Sequence, residues 1–224
     1  MAEECARLVA EGSADLAVPM LRKAVDRITR ALMYLDDSSG IIGDDLQELM
    51  DLYAKACAAA LPNPVSLTGW LVKLECDGPG WPRVRLADFA PALGKRGIAE
   101  VERLVAERAR VADPWTAGFA VRDLREQLAE VSGDVDRYVA VLAEHLTNAV
   151  QYQRIAEVLH AAGRRDEAIG WARRGVAANP GSPYTDRLRD LLVSMLLAAD
   201  DTWVLCWSGG RSSAGIPPLP NTDR

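Results

Sequence analysis

Apolar residues recur three and four apart along most of the chain, the spacing that lays one stripe on an α-helix. Leu21, Val25, Ile28, Leu32 and Leu35 predict a helix from Pro19 to Leu35, ended by Asp36-Asp37-Ser38-Ser39-Gly40. Asp44 stands where an N-cap belongs, ahead of a second helix carrying Leu46, Leu49, Leu52, Tyr53 and Ala56 and stopped by Pro62. A third helix is expected from Val65 to Leu74, and Gly78-Pro79-Gly80-Trp81-Pro82 reads as a rigid turn. A short helix near Leu86 to Leu93 and a longer one from Gly97 to about Val111 follow, and then Asp113-Pro114 signals another helix start. Beyond it the pattern becomes regular, with helices expected at 115–131, 134–147, 149–162, 166–178 and 183–199. Their connections are short enough for antiparallel neighbours. The expected architecture is all-α, an α-solenoid of stacked antiparallel helix hairpins. Its parts are an N-terminal helical region (1–112), helical hairpins (113–207) and an irregular tail (208–224). Leu49, Leu52, Trp70, Leu124, Leu128, Leu142, Ile155, Leu159 and Leu192 are the expected core.

An internal repeat sharpens this picture. In the window from Ala149 to Ser182, Tyr152, Ile155, Ala156 and Leu159 make the inner face of one helix, which Gly163 ends. Ala168, Ala172 and Gly175 give the next helix a small-residue face, and Asn179-Pro180 closes the unit. The window resembles the tetratricopeptide repeat, in which small residues sit where paired helices touch and a proline closes the repeat. The bulky residue of the second helix is displaced here to Trp171, and the first-helix glycine is Ala156. Ser132-Gly133-Asp134-Val135-Asp136 repeats the same punctuation earlier, and Ala198-Ala199-Asp200-Asp201 repeats it later without the glycine.

A wider resemblance rests on Tyr34 to Gly40, Pro62 to Leu71, Leu86 to Gly94, Gly133 to Asp136 and Arg154 to Leu159. Together these segments resemble the helical-repeat region of uncharacterised actinobacterial proteins, some of which carry a SWIM zinc finger ahead of it. That finger needs Cys-x-Cys and a later Cys-x-His, which none of Cys5, Cys57, Cys76 and Cys206 provides. The resemblance implies a helical interaction region and transfers no activity.

Composition and charge narrow the partners. The chain has 224 residues, 49% of them hydrophobic, which is enough for a substantial core, and only 6% aromatic. A net charge of -6 gives no global basic field, so direct nucleic-acid binding is not expected. No apolar run reaches bilayer thickness, because Pro62-Asn63-Pro64 interrupts the stretch from Ala56 to Val72. Met1-Ala-Glu-Glu-Cys5 is acidic where a secretion signal is basic, and the four cysteines are far apart. A cytoplasmic protein without a membrane span is the expectation.

Candidate chemistry is sparse. Glu157-x-x-His160 puts a carboxylate and an imidazole on one helix face, but a di-iron bundle needs a second such pair. The acidic cluster Asp36, Asp37, Asp44, Asp45, Glu48 and Asp51 misses the EF-hand register, since Ile41 and Ile42 fall where a ligand and the turn glycine belong. Gly209-Gly210 has no following Lys-Ser to hold phosphate. No metal, cofactor or catalytic set is therefore expected. Arg164, Arg165, Arg173, Arg174, Arg187 and Arg189 form a local basic excess interleaved with acids, either a solvated face or a dock for acidic peptides. With Ala149 as the first repeat position, Gln153, Glu157 and His160 fall on the solvent face of the first helix, where tetratricopeptide repeats hold extended peptides. The leading reading is a non-enzymatic protein-interaction scaffold with those three as partner contacts. The alternatives are an enzyme with a buried helical site around Glu157 and His160, and a regulatory module of SWIM-finger nucleic-acid-associated proteins. The tail from Ser208 onward is rich in Gly, Ser and Pro, and is expected to lack regular structure and any functional site. A shifted reading frame from Gly210 would account for it, because one permitted back-translation restores a helix-like string.

Overall fold

The computed structural model describes residues 2–34, 40–111 and 117–208, with side chains over all but the ends of the later segments. Every regular element among these residues is helical, and the chain divides into two compact units, 1–141 and 142–224. The sequence boundary expected at 112/113 lies inside the first unit. Asp36, Asp37, Asp113 and the tail from Gly209 lie outside the described residues.

The first unit contains α1 (Ala2–Ala10), α2 (Ala14–Leu32), α3 (Ile41–Ala60), α4 (Pro64–Asp77), α5 (Leu86–Val111), α6 (Ala117–Ser132) and most of α7 (Val135–Ala143). The sequence pattern did not predict α1, because apart from its alanines it carries only Cys5, Leu8 and Val9 as apolar residues. Cys5 is fully buried and holds α1 in the core. Nor does α2 start at Pro19: it starts five residues earlier, with Pro19 inside it. Burial of Ala14 and Ala17 favours that extension, and Pro19 and Asp15 are exposed, so water reaches the carbonyl deprived of its helical donor. A second correction concerns Asp44. The N-cap of α3 is Gly40 at φ 74°, and Asp44 sits in the first turn with its N–H bonded to the Gly40 carbonyl at 3.0 Å.

Side-chain caps fix two further helix starts, of which the sequence pattern marked only the one at Asp134. Asn63 Oδ1 accepts from Val65 N (3.0 Å) and Ser66 N (3.1 Å), with Pro64 as the first residue of α4. Asp134 accepts from Arg137 N (3.0 Å) at the start of α7. Gly94, at φ 52° and ψ -169°, breaks α5 between the two helices expected there. The Cβ of any other residue at Gly97 would lie 2.7 Å from Leu93 Cβ, so glycine is needed for this approach. Thr68, buried on α4, donates to the Gly97 carbonyl across the same contact at 3.1 Å.

The core of the first unit is one cluster drawn from α1 to α6, with Leu21, Leu46, Tyr53, Leu71, Phe89 and Leu124 among its least exposed members. Tyr53 meets Trp70 edge-on at 5.1 Å between centroids and Phe89 at 5.8 Å. The segment between α4 and α5 has no ladder of its own, so three helices bind its backbone. Gln47 of α3 accepts from Arg83 N (2.9 Å) and Glu75 of α4 accepts from Val84 N (3.0 Å). Gln127 of α6 accepts from Leu86 N (2.7 Å) and donates to the Val84 carbonyl (2.9 Å).

The second unit contains α8 (Ala149–Ala161), α9 (Arg165–Ala178) and α10 (Thr185–Ser208). α8 and α9 pack on each other, and α10 packs on both. The break expected at Ala198–Asp201 does not occur: the helix runs unbroken from Thr185 to Ser208. Of the expected core residues, Leu49, Trp70, Leu124, Leu128, Leu142, Ile155 and Leu159 are buried, whereas Leu52 and Leu192 are half-buried.

Candidate functional site

The face of α8 that bears the predicted contacts is set by what the opposite face buries. Asn148 caps the helix in a capping box: its Oδ1 accepts from Val150 N (3.0 Å) and Gln151 N (3.4 Å), and Gln151 Oε1 accepts from Asn148 N (3.1 Å). From that fixed start, Ile155, Ala156 and Leu159 turn inward and are fully or almost fully buried. On α9, Ala168, Ala172 and Gly175 are likewise buried. A Cβ at Gly175 would lie 2.5 Å from Tyr152 Cβ and 2.6 Å from Leu188 Cδ2, so α9 approaches its neighbours more closely there than any larger residue permits.

Gln153, Glu157 and His160, spaced by four and three residues, occupy the outward side of α8. Glu157 and His160 are exposed, Gln153 is half-buried, and Gln153 Nε2 donates to Glu157 Oε1 at 2.8 Å. That bond orients both side chains and leaves Glu157 Oε2 and the imidazole facing solvent. Such an arrangement can hydrogen-bond an incoming chain. It is a poor acid–base centre, since both titratable groups sit in water rather than in an enclosed site. Among the described residues no group of three or more His, Cys, Asp or Glu is placed to hold a metal ion.

Other charged candidates have internal work. Arg164 pairs with Glu167 at 2.7 Å and Arg189 with Asp186 at 2.7 Å. Arg165 Nη2 donates to the Met195 carbonyl at 2.7 Å and ties α9 to α10. The Arg174 guanidinium lies 3.6 Å from the centroid of the Trp171 ring, which also meets Tyr152 at 6.1 Å. Trp171, the displaced bulky residue of the repeat, is therefore the platform of an aromatic–cation stack. This role could be anticipated only from the Trp171 to Arg174 spacing. In the acidic stretch of α3, Asp51 accepts from Arg85 at 3.0 Å, a partner distant in sequence.

Among the described residues, Cys5 and Cys57 are buried and Cys76 is half-buried. Cys57 is fully buried, and that burial pushes its thiol up to about 11. Burial also raises Cys76. Glu75, which clasps Val84, is raised above the ordinary carboxylate range chiefly by desolvation.

Comparison of the chain with models of known protein families, with curated proteins and with solved structures finds no match in any of the three.

Proposed function

We propose that this chain is a non-enzymatic, all-α protein-interaction scaffold whose second unit is a tetratricopeptide-like hairpin that receives an extended peptide on α8. The supporting observation is the burial pattern. Ala156, Ala168, Ala172 and Gly175 are packed inside, and Gln153, Glu157 and His160 are left together on the outer side. On this reading the Gln153 carboxamide and the His160 ring hydrogen-bond the peptide backbone. Glu157 accepts from a peptide N–H or a basic side chain, and the hydrogen bond from Gln153 holds it in position. The partner is a protein or peptide. The net charge of -6 disfavours nucleic acid. No helix among the described residues is long and apolar enough to cross a membrane.

Simultaneous replacement of Gln153, Glu157 and His160 by alanine tests the assignment. Quantitative pull-down with the wild-type chain should recover partners that the triple variant loses, while the variant keeps its helical circular dichroism. Equal recovery of every partner by both proteins would remove the assignment.

A further inference from the structure

A cavity within the first unit plays no part in the scaffold reading. It is a groove of about 650 Å³ between α2 and α4, a volume typical of small-molecule sites. α2 packs on α3 and α4 packs on α5, and the side chains of α2 and α4 face each other across the groove. Trp70, buried on α4, donates its indole N–H to Asp26 Oδ1 at 2.8 Å and spans the gap. At Gly69 a Cβ would meet nothing within 4 Å, so the groove is open beside Trp70.

The groove has a sign opposite to that of the chain. Arg22, Arg30 and Lys73 line it, and among the described residues none of them forms a side-chain ion pair. Its two carboxylates are already engaged. Asp26 takes the Trp70 indole hydrogen, and Asp77 accepts two hydrogen bonds from Arg108, one of them at 3.0 Å. The Arg22 guanidinium lies 5.4 Å from the Trp70 ring centroid, which joins cation and aromatic surface at one point. Met33, 64% exposed, and Leu74 supply further apolar lining. Thr29, on the α2 wall, is 6% exposed, and its Oγ1 is buried with no hydrogen-bond partner. Native structures leave few such hydroxyls, and one on the wall of a cationic groove becomes a donor to an anion once a small side-chain shift uncovers it.

The geometry points to a binding site for a small organic anion, a carboxylate or phosphate attached to an apolar body. The anionic head is held by Arg30, Lys73 and the Thr29 hydroxyl, and the body lies against Trp70, Leu74 and Met33. The anion supplies the missing partner of Thr29 and adds negative charge beside Lys73 and Arg30, neither of which makes a direct ion pair, while Arg30 Nε keeps its hydrogen bond to the Asp26 carbonyl at 3.0 Å. The apolar body excludes water from the same contacts and strengthens them.

A titration of the full chain with 3-phenylpropanoate, followed by amide and indole NMR resonances, tests the site. Acetate, inorganic phosphate and neutral 3-phenylpropanol serve as the comparisons. The expected result is saturable shifts at the Trp70 indole N–H and the Gly69 and Thr29 amides, with binding about tenfold weaker for 3-phenylpropanol. The exposed double substitution Arg30→Glu with Lys73→Glu should weaken 3-phenylpropanoate by at least about tenfold. Thr29→Val should weaken it severalfold without lowering the unfolding midpoint, because the hydroxyl it removes has no partner in the free protein. Absence of localised shifts, equal affinity for the neutral analogue, unchanged affinity in the charge-reversed variant, or equal effects from inorganic phosphate alone would each overturn the proposal.

Discussion

Replacing Gly175 by alanine and, separately, Gly170 by alanine probes the helix contact on which the repeat register rests. Both glycines lie inside α9, so both substitutions gain the helix propensity of alanine, ~1 kcal/mol. They differ in surroundings. A Cβ at Gly170 meets nothing within 4 Å, whereas one at Gly175 lies 2.5 Å from Tyr152 Cβ and 2.6 Å from Leu188 Cδ2. Leu188 can rotate away, but Tyr152 Cβ is fixed to its backbone, so α8 and α9 must separate by a large fraction of an ångström. Overpacking of this kind costs ~1–3 kcal/mol. The expected outcome is stabilisation by ~1 kcal/mol for Gly170→Ala and a net destabilisation of up to ~2 kcal/mol for Gly175→Ala, a separation of ~1–3 kcal/mol within one helix. Urea unfolding read by hydrogen exchange of α8 and α9 peptides reports on this unit alone. Shifts of equal size and sign in the two variants would refute the assignment of Gly175 to the hairpin contact.

Glu75 makes stability depend on pH. Its folded-state carboxyl is raised by desolvation above its unfolded value, so the folded state holds the proton to higher pH. This contribution is complete below the ordinary carboxylate range and is lost as pH rises through the raised folded value. Glu75→Gln should flatten that slope in urea unfolding series, and an unchanged slope would count against the burial argument. Gln127→Ala removes the acceptor for Leu86 N and the donor to the Val84 carbonyl, and should cost ~1–3 kcal/mol by chemical denaturation. A change within ~0.5 kcal/mol, the range of ordinary surface substitutions, would show that the clasp adds nothing. Cys57, buried and with its thiol raised to about 11, should resist alkylation in the native protein and react fully after unfolding, as mapped by mass spectrometry of its peptide. Native-state labelling at a rate matching that of the unfolded chain would contradict its burial.

The helices themselves were legible because their apolar stripes are local. Leu21 and Val25, Leu67 and Leu71, and Ile155 and Leu159 all lie inward as their spacing requires. The start marked by Asp134 was legible for the same reason, since a cap acts over three residues, whereas the cap at Asn63 was not, because Pro62-Asn63-Pro64 reads first as an interruption. The start of α2 was not legible either, because burial of Ala14 and Ala17 outweighs the local cost of Pro19. Continuity of α10 past Asp200 was missed on similar grounds, since acidic punctuation does not stop a helix that has no glycine or proline there. On the candidate face, the sidedness of Gln153, Glu157 and His160 followed from the repeat pattern, but the bond from Gln153 to Glu157 required coordinates. The clasp by Gln47, Glu75 and Gln127, and the pairing of Trp70 with Asp26, join residues that sequence spacing alone does not relate.

The scaffold reading is tested most directly by selecting a random linear peptide library against the wild-type chain and measuring the affinity of each enriched peptide for wild type, for the Gln153/Glu157/His160 triple alanine variant and for Arg173→Ala, an exposed change elsewhere on the hairpin. The account predicts peptides whose binding falls at least about tenfold in the triple variant and is unaltered in Arg173→Ala. Peptides that bind all three proteins equally, or a library that yields no enrichment, would contradict it.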